Sequence, residues 1–112
     1  MKVPLLLVDH GDISVFSSNQ DLEKYAESPD IAGYSVFDAA GYQLELQSVM
    51  GRIDTVVDVN PVRLVEVGGV PQPNLLRDSI RSFLNRVSVP TSDDDDLSKL
   101  IGVLVETIGY TK

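Results

Sequence analysis

The chain holds one histidine, His10, inside Asp9-His10-Gly11-Asp12, with one carboxylate directly before it and another two residues after. An imidazole beside a carboxylate is the pairing that a general base or a metal ligand needs, because the acid fixes the tautomer and the ring orientation. Catalysis at His10 would also require a nucleophile or further ligands brought by the fold, and no second histidine exists to help. The same four residues have the composition of a tight hairpin loop, in which Asp starts the turn and Gly accepts a positive φ. The turn is the commoner use of such a run. Asp9, His10 and Asp12 are therefore expected at an exposed hairpin tip, able to touch a partner but not to run a reaction.

Asp93-Asp94-Asp95-Asp96 is the most conspicuous charge run. It lacks the twelve-residue spacing and terminal Glu of a calcium loop, so no metal is expected there. Following Thr91-Ser92 and preceding a helical pattern, these acids fit the positive end of a helix dipole instead. Arg77, Arg81 and Arg86 could grip phosphate, but no Gly-rich strand-to-helix loop precedes them, and Gly68-Gly69 leads into a Pro-rich link. They are expected on a solvated helix face. The serines find no His and acid at a recognisable triad spacing, and the chain has no cysteine, which removes thiolate chemistry and disulfides. No cofactor, metal or catalytic residue is expected, and the chain is read as a non-enzyme.

The 112 residues carry a formal net charge of −8, a sign that argues against a nucleic-acid partner. Residues 1–60 hold ten acids against three bases, whereas residues 61–92 hold four arginines against two acids. The negative field thus belongs to the first half. Besides serving solubility, it suggests a docking surface built from Asp9, Asp12, Glu23, Glu27, Asp30, Asp38 and Glu45, which would attract a cationic protein. Rim charges add little affinity, so anchoring falls to aromatics, with Tyr25, Tyr34 and Tyr42 as candidates.

The elements that would position these residues can be read from periodicity. Val3 to Val8 and Ile13 to Phe16 are strand-like runs around the His10 loop. Ser18 and Asp21 offer a cap for a short helix carrying Leu22, Tyr25 and Ala26, and Ser28-Pro29 stops it. Tyr34 to Phe37, the Asp38–Gly41 turn and Tyr42 to Ser48 form a second hairpin. Its return strand alternates Tyr42, Leu44 and Leu46 with Gln43, Glu45 and Gln47, the mark of a half-wetted antiparallel sheet. Thr55 to Val59 and Val62 to Val67 read as further strands, while Met50 to Asp54 reads as loop. After the Gly68–Pro73 break the period becomes 3.6, with one stripe at Leu76, Ile80, Phe83, Leu84 and Val87. A second stripe follows at Leu97, Leu100, Ile101, Leu104, Val105 and Ile108, and Gly109 suits its C-cap.

The expected fold is one α+β domain over residues 1–112. It comprises an antiparallel sheet of about four to six strands, a short helix after the first hairpin, and two C-terminal helices, with the helices against one sheet face. No segment has the length of a membrane span, and the apolar run from Leu5 to Val8 is too short for a signal peptide, so a cytoplasmic location is expected.

Residues 5–47, "LLLVDHGDISVFSSNQDLEKYAESPDIAGYSVFDAAGYQLEL", resemble the opening of small immunity proteins from bacterial polymorphic-toxin and contact-dependent growth inhibition systems. The pattern is a strand, a turn, Ile-Ser-Val-Phe, a helix ending in Tyr25-Ala26-Glu27, and a strand pair around Asp38-Ala39-Ala40-Gly41. The resemblance implies a protein that binds one cognate toxin domain and covers it, and an acidic inhibitor would suit a basic, nuclease-like toxin. The competing readings are a small adaptor or assembly subunit, and a small-molecule-binding or catalytic domain using His10.

Overall fold

The computed structural model describes residues 1–26, 33–48 and 62–111. Its strands are β1 (Leu5–Asp9), β2 (Asp12–Phe16), β3 (Tyr34–Phe37), β4 (Gln43–Ser48) and β5 (Val62–Glu66). They form one antiparallel sheet in the order β2-β1-β3-β4-β5. Helix α1 (Asn19–Tyr25) follows the first hairpin, and α2 (Pro73–Arg86) and α3 (Leu97–Ile108) complete the α+β fold. The expected strand at Thr55 to Val59 and the loop at Met50 to Asp54 lie outside the described residues.

The two C-terminal helices share one sheet face, as expected, whereas α1 lies on the other. β1 reads Leu-Leu-Leu-Val, so alternation gives it two apolar faces, and both need cover. Leu6, Ile13, Val15 and Phe37 pack with Leu76, Ile80, Phe83, Leu84, Leu100, Ile101 and Leu104 from α2 and α3. Leu5, Leu7, Phe16, Val36, Leu44 and Leu64 enclose Leu22 of α1 on the other side. The period-2 pattern of β4 shows only half of this: a strand with one wet face says nothing about its neighbours two positions along the sheet.

α1 is only seven residues long, yet it touches both edge strands, β2 and β5, so the sheet curls around it. Ser18 caps it, accepting from the Asp21 amide at 3.1 Å. α2 starts with Pro73 in its first turn, where a missing N–H costs nothing. Val87 and Ile108, at the ends of the two expected stripes, stay partly exposed.

α2 and α3 cover β2, β1 and β3 but leave the same side of β4 and β5 bare. Gln43, Glu45, Gln47 and Arg63 are exposed there. β3 and β4 pair only at Val36–Leu44 and Phe37–Gln43. Among the described residues, both outer strands of the sheet are met by contacts other than a strand: the Thr111 amide donates to the Val15 carbonyl of β2 at 2.7 Å, and Glu23 reaches β5.

Candidate functional site

The acids expected on one docking face occupy separate places. Asp9 and Asp12 close the β1–β2 hairpin as its last pair, with His10 and Gly11 as a two-residue loop. Both loop residues have positive φ, 50° and 89°, the requirement of a type I′ turn. His10 Nδ1 lies 2.6 Å from Asp9 Oδ1, and the ring is 87% exposed. Such exposure leaves water around any reacting atom, so the carboxylate–imidazole pair gains none of the low-dielectric advantage that catalysis uses. Arg86 holds the tip from behind, donating to the Gly11 carbonyl at 2.6 Å and standing 3.4 Å from Asp12 Oδ1.

Asp38 is not a surface acid. It is 4% exposed, and its Oδ1 accepts from the Ala40 and Tyr42 amides at 2.9 and 3.0 Å, while Oδ2 accepts from the Lys2 amide at 3.2 Å. A carboxylate is the side chain best able to gather three donors, and Asp is short enough to do so inside its own turn. The Asp38–Gly41 loop is thereby fixed at the end of the sheet remote from Asp9. Gly41 has φ 92°, and a Cβ there would stand 2.8 Å from the Pro73 backbone, so α2 approaches as closely as glycine permits. The Gln72 amide donates to the Gly41 carbonyl at 2.8 Å and completes the lock.

Glu23 is also engaged. Its Oε2 accepts the outward-facing Leu64 amide of β5 at 2.7 Å, which replaces the strand partner that an edge lacks. Tyr25 packs on Phe16 with ring centroids 5.3 Å apart and remains partly exposed. Glu45 is exposed on the β4–β5 side that α2 and α3 leave uncovered. Tyr34 packs against the α1-side core. Glu27 and Asp30 lie outside the described residues. Among the described residues, then, the carboxylates form no single face: Glu23 and Glu45 belong to opposite sides of the sheet, Asp9 and Asp12 to one end, and Asp38 to the interior at the other.

Among the described residues, three of the four aspartates in the run make side-chain contacts within the chain. Asp93 pairs with Arg81, and its carbonyl accepts from Arg77 at 3.4 Å. Asp95 accepts from the Ser92 amide at 2.9 Å and pairs with Lys99 at 2.9 Å. Asp96 caps α3 by accepting from the Lys99 amide at 2.8 Å. The Lys99 hydrogen bond, reinforced by the Ser92 amide, holds the Asp95 carboxyl below its ordinary range, and Lys99 is raised in return. Two of the three arginines therefore answer this run, and the third braces the hairpin. Among the described residues no group of three or more His, Cys, Asp or Glu side chains is placed to hold a metal.

What the structure does assemble is an apolar surface at the Asp38 end. A cleft of about 540 Å³ runs between Tyr42, Leu44, Glu66, Val67 and the Gly68–Gly69 backbone. A second of about 590 Å³ shares Gln43, Leu44, Val67 and Gly69 and adds Glu45 and Val70. Val70 is 80% exposed, and Met1, Tyr42 and Val67 stand about half in solvent beside it. The volumes would suit a small molecule. The convergent polar groups are occupied, however: Asp38 by three amides, and Glu66 by the Met1 amino group at 2.6 Å. What remains is a mixed lining, in which the aliphatic and aromatic side chains of Tyr42, Leu44, Val67 and Val70 stand beside Lys2, Gln43, Glu45 and Gln72, a composition that protein-contact surfaces share. Of the expected contact residues, Tyr42 and Glu45 are here. Val67 and Val70 were missed, because a valine in a Gly- and Pro-rich link looks like a linker residue until its exposure is known.

Among the described residues no helix is long and apolar enough to cross a membrane. Comparison of the chain with models of known families, with curated proteins and with solved structures finds no match.

Proposed function

We propose that this chain is a partner-binding module of the immunity type, which neutralises a cognate toxin domain in the cytoplasm by covering it and performs no reaction itself. The observation that carries this reading is the exposed Tyr42–Val67–Val70 surface, in which Tyr42 is tied to the Asp38 turn and the link carrying Val70 is tied at Gln72 to the Gly41 carbonyl. Contiguous apolar side chains in water cost solubility, and a bound partner recovers that cost. Tyr42 acts as the aromatic anchor and Glu45 as rim charge. The resemblance of residues 5–47 to immunity proteins supports the same reading.

The acidic field contributes at long range. A net charge of −8 speeds encounter with a cationic toxin without an array of carboxylates in the final interface, and salt screens this effect. Occlusion therefore rests on the apolar surface and steering on the charge, and phosphate mimicry by a carboxylate array forms no part of it.

The test is growth protection. The toxin is expected from the gene directly upstream, and co-expression of this chain should restore growth of cells making it. Tyr42→Ala and Val70→Asp should each abolish protection while leaving the circular dichroism spectrum unchanged, whereas His10→Ala should protect fully. Protection by the Val70→Asp variant, or its loss in His10→Ala alone, rejects the reading. An adaptor would bind through the same surface without any effect on growth.

A further inference from the structure

A groove of about 420 Å³ lies between the N-terminal segment and α3. Val3 and Pro4 belong to one wall, Ile101, Gly102 and Val105 to the other, and Tyr110 lines it as well. Val3 and Tyr110 are about half exposed, so this apolar lining faces solvent.

Gly102 is the informative residue. It sits inside α3 on the exposed side, and a Cβ built there meets no atom of the described residues within 4 Å. Glycine inside a helix is less favourable than alanine, and nothing among the described residues requires it. Bare backbone in a groove is useful to a molecule that packs closely against it.

Charge says which molecule. Lys2 lines the N-terminal wall and Glu106 the α3 wall, and neither side chain has an ion-pair partner among the described residues. One cation and one anion on opposite walls are self-complementary. A two-fold axis running along the groove sets the N-terminal wall of one copy over the α3 wall of the other, and pairs each Lys2 with the Glu106 of its mate. An isologous contact demands this arrangement, in which residue i meets j and j meets i.

We propose that this groove is a self-association surface and that its occupant is a second copy of this chain. Val3 of each copy packs over the bare Gly102 backbone of the other, with two Lys2–Glu106 pairs at the rim. Repulsion between two acidic chains weakens the dimer at low ionic strength, and moderate salt relieves it.

Sedimentation velocity of the full chain at rising concentration tests this. A concentration-dependent dimer is expected, with a dissociation constant below about 1 mM. Gly102→Leu, whose side chain enters open space, should keep the circular dichroism spectrum and melting temperature and weaken the dimer at least tenfold. Lys2→Glu and Glu106→Lys should each weaken it, and the two together should restore it. A monomer at every concentration overturns the proposal. So does a dimer indifferent to Gly102→Leu, and so does a double charge reversal that fails to recover association. The charge pair keeps the proposal falsifiable should the leucine variant misfold.

Discussion

Arg86 Nη2 donates to the Gly11 carbonyl at 2.6 Å, so the last turn of α2 is tied to the apex of a hairpin 75 residues earlier. The turn is consequently braced from outside as well as by its own geometry. Gly11 has φ 89°, and a Cβ there would stand 3.3 Å from Arg86 Nη2. Gly11→Ala should cost about 1–2 kcal/mol from the left-handed backbone alone, before any displacement of the arginine. Urea unfolding measures the loss. Arg86→Ala should cost less in global stability, because the side chain is half exposed, while raising amide exchange locally at the hairpin tip.

Glu23 acts on β5 through a hydrogen bond, and its charge is incidental. Glu23→Gln keeps an acceptor oxygen for the Leu64 amide and should leave stability within about 0.5 kcal/mol, whereas Glu23→Ala strands that donor and should cost about 1–2 kcal/mol. Amide exchange at Leu64 separates the two variants. Rapid exchange in Glu23→Gln would mean that the carboxylate charge is what matters.

Asp38 gathers two amides of its own turn, Ala40 and Tyr42, and a third from Lys2. Asp38→Ala should cost about 2–3 kcal/mol, since three part-buried amides lose their acceptor together. Protection in the growth assay should fall with it, because Tyr42 is positioned by one of those bonds. Denaturant titration gives the stability, and a full-strength variant would show that the Gly41–Gln72 contact suffices to hold the turn.

These contacts mark the boundary of what could be read from the chain. The His10-Gly11 turn, the α2 and α3 stripes and the α3 cap depend on neighbours within four residues, and all were legible. The Asp38 turn was legible as a turn but not as a burial site, because the Lys2 amide that draws it inward is 36 residues away. Glu23 looked like any exposed helix acid, since its partner lies 41 residues along the chain. Charge counted along the sequence gave the first half a negative field, yet the field does not condense into a face, because the fold distributes adjacent acids to opposite sides of a curled sheet. The placement of α1 on the second sheet face followed from the four apolar residues of β1, which carry two-sided burial in plain view once weighed against a one-sided strand such as β4.

The Asp95–Lys99 pair sets a pH window. Lys99 and the Ser92 amide hold the folded Asp95 carboxyl below the ordinary value of about 4, so its contribution is complete above that value and is lost as pH falls through the depressed one. Lys99 is raised by the same contact, so its contribution is complete below about 10.4 and is lost as pH climbs through the raised value. The pair therefore supports the start of α3 across the whole neutral range, and its effect appears as curvature at the two limbs. Lys99→Met should flatten both limbs of a plot of melting temperature against pH, because it lowers the plateau near pH 7 modestly and leaves the two extremes unchanged. Asp95→Asn should flatten both limbs too, and should lower the plateau further, because it also disturbs the bond to the Ser92 amide. An acid limb of unchanged steepness in both variants would show that other carboxylates govern acid unfolding.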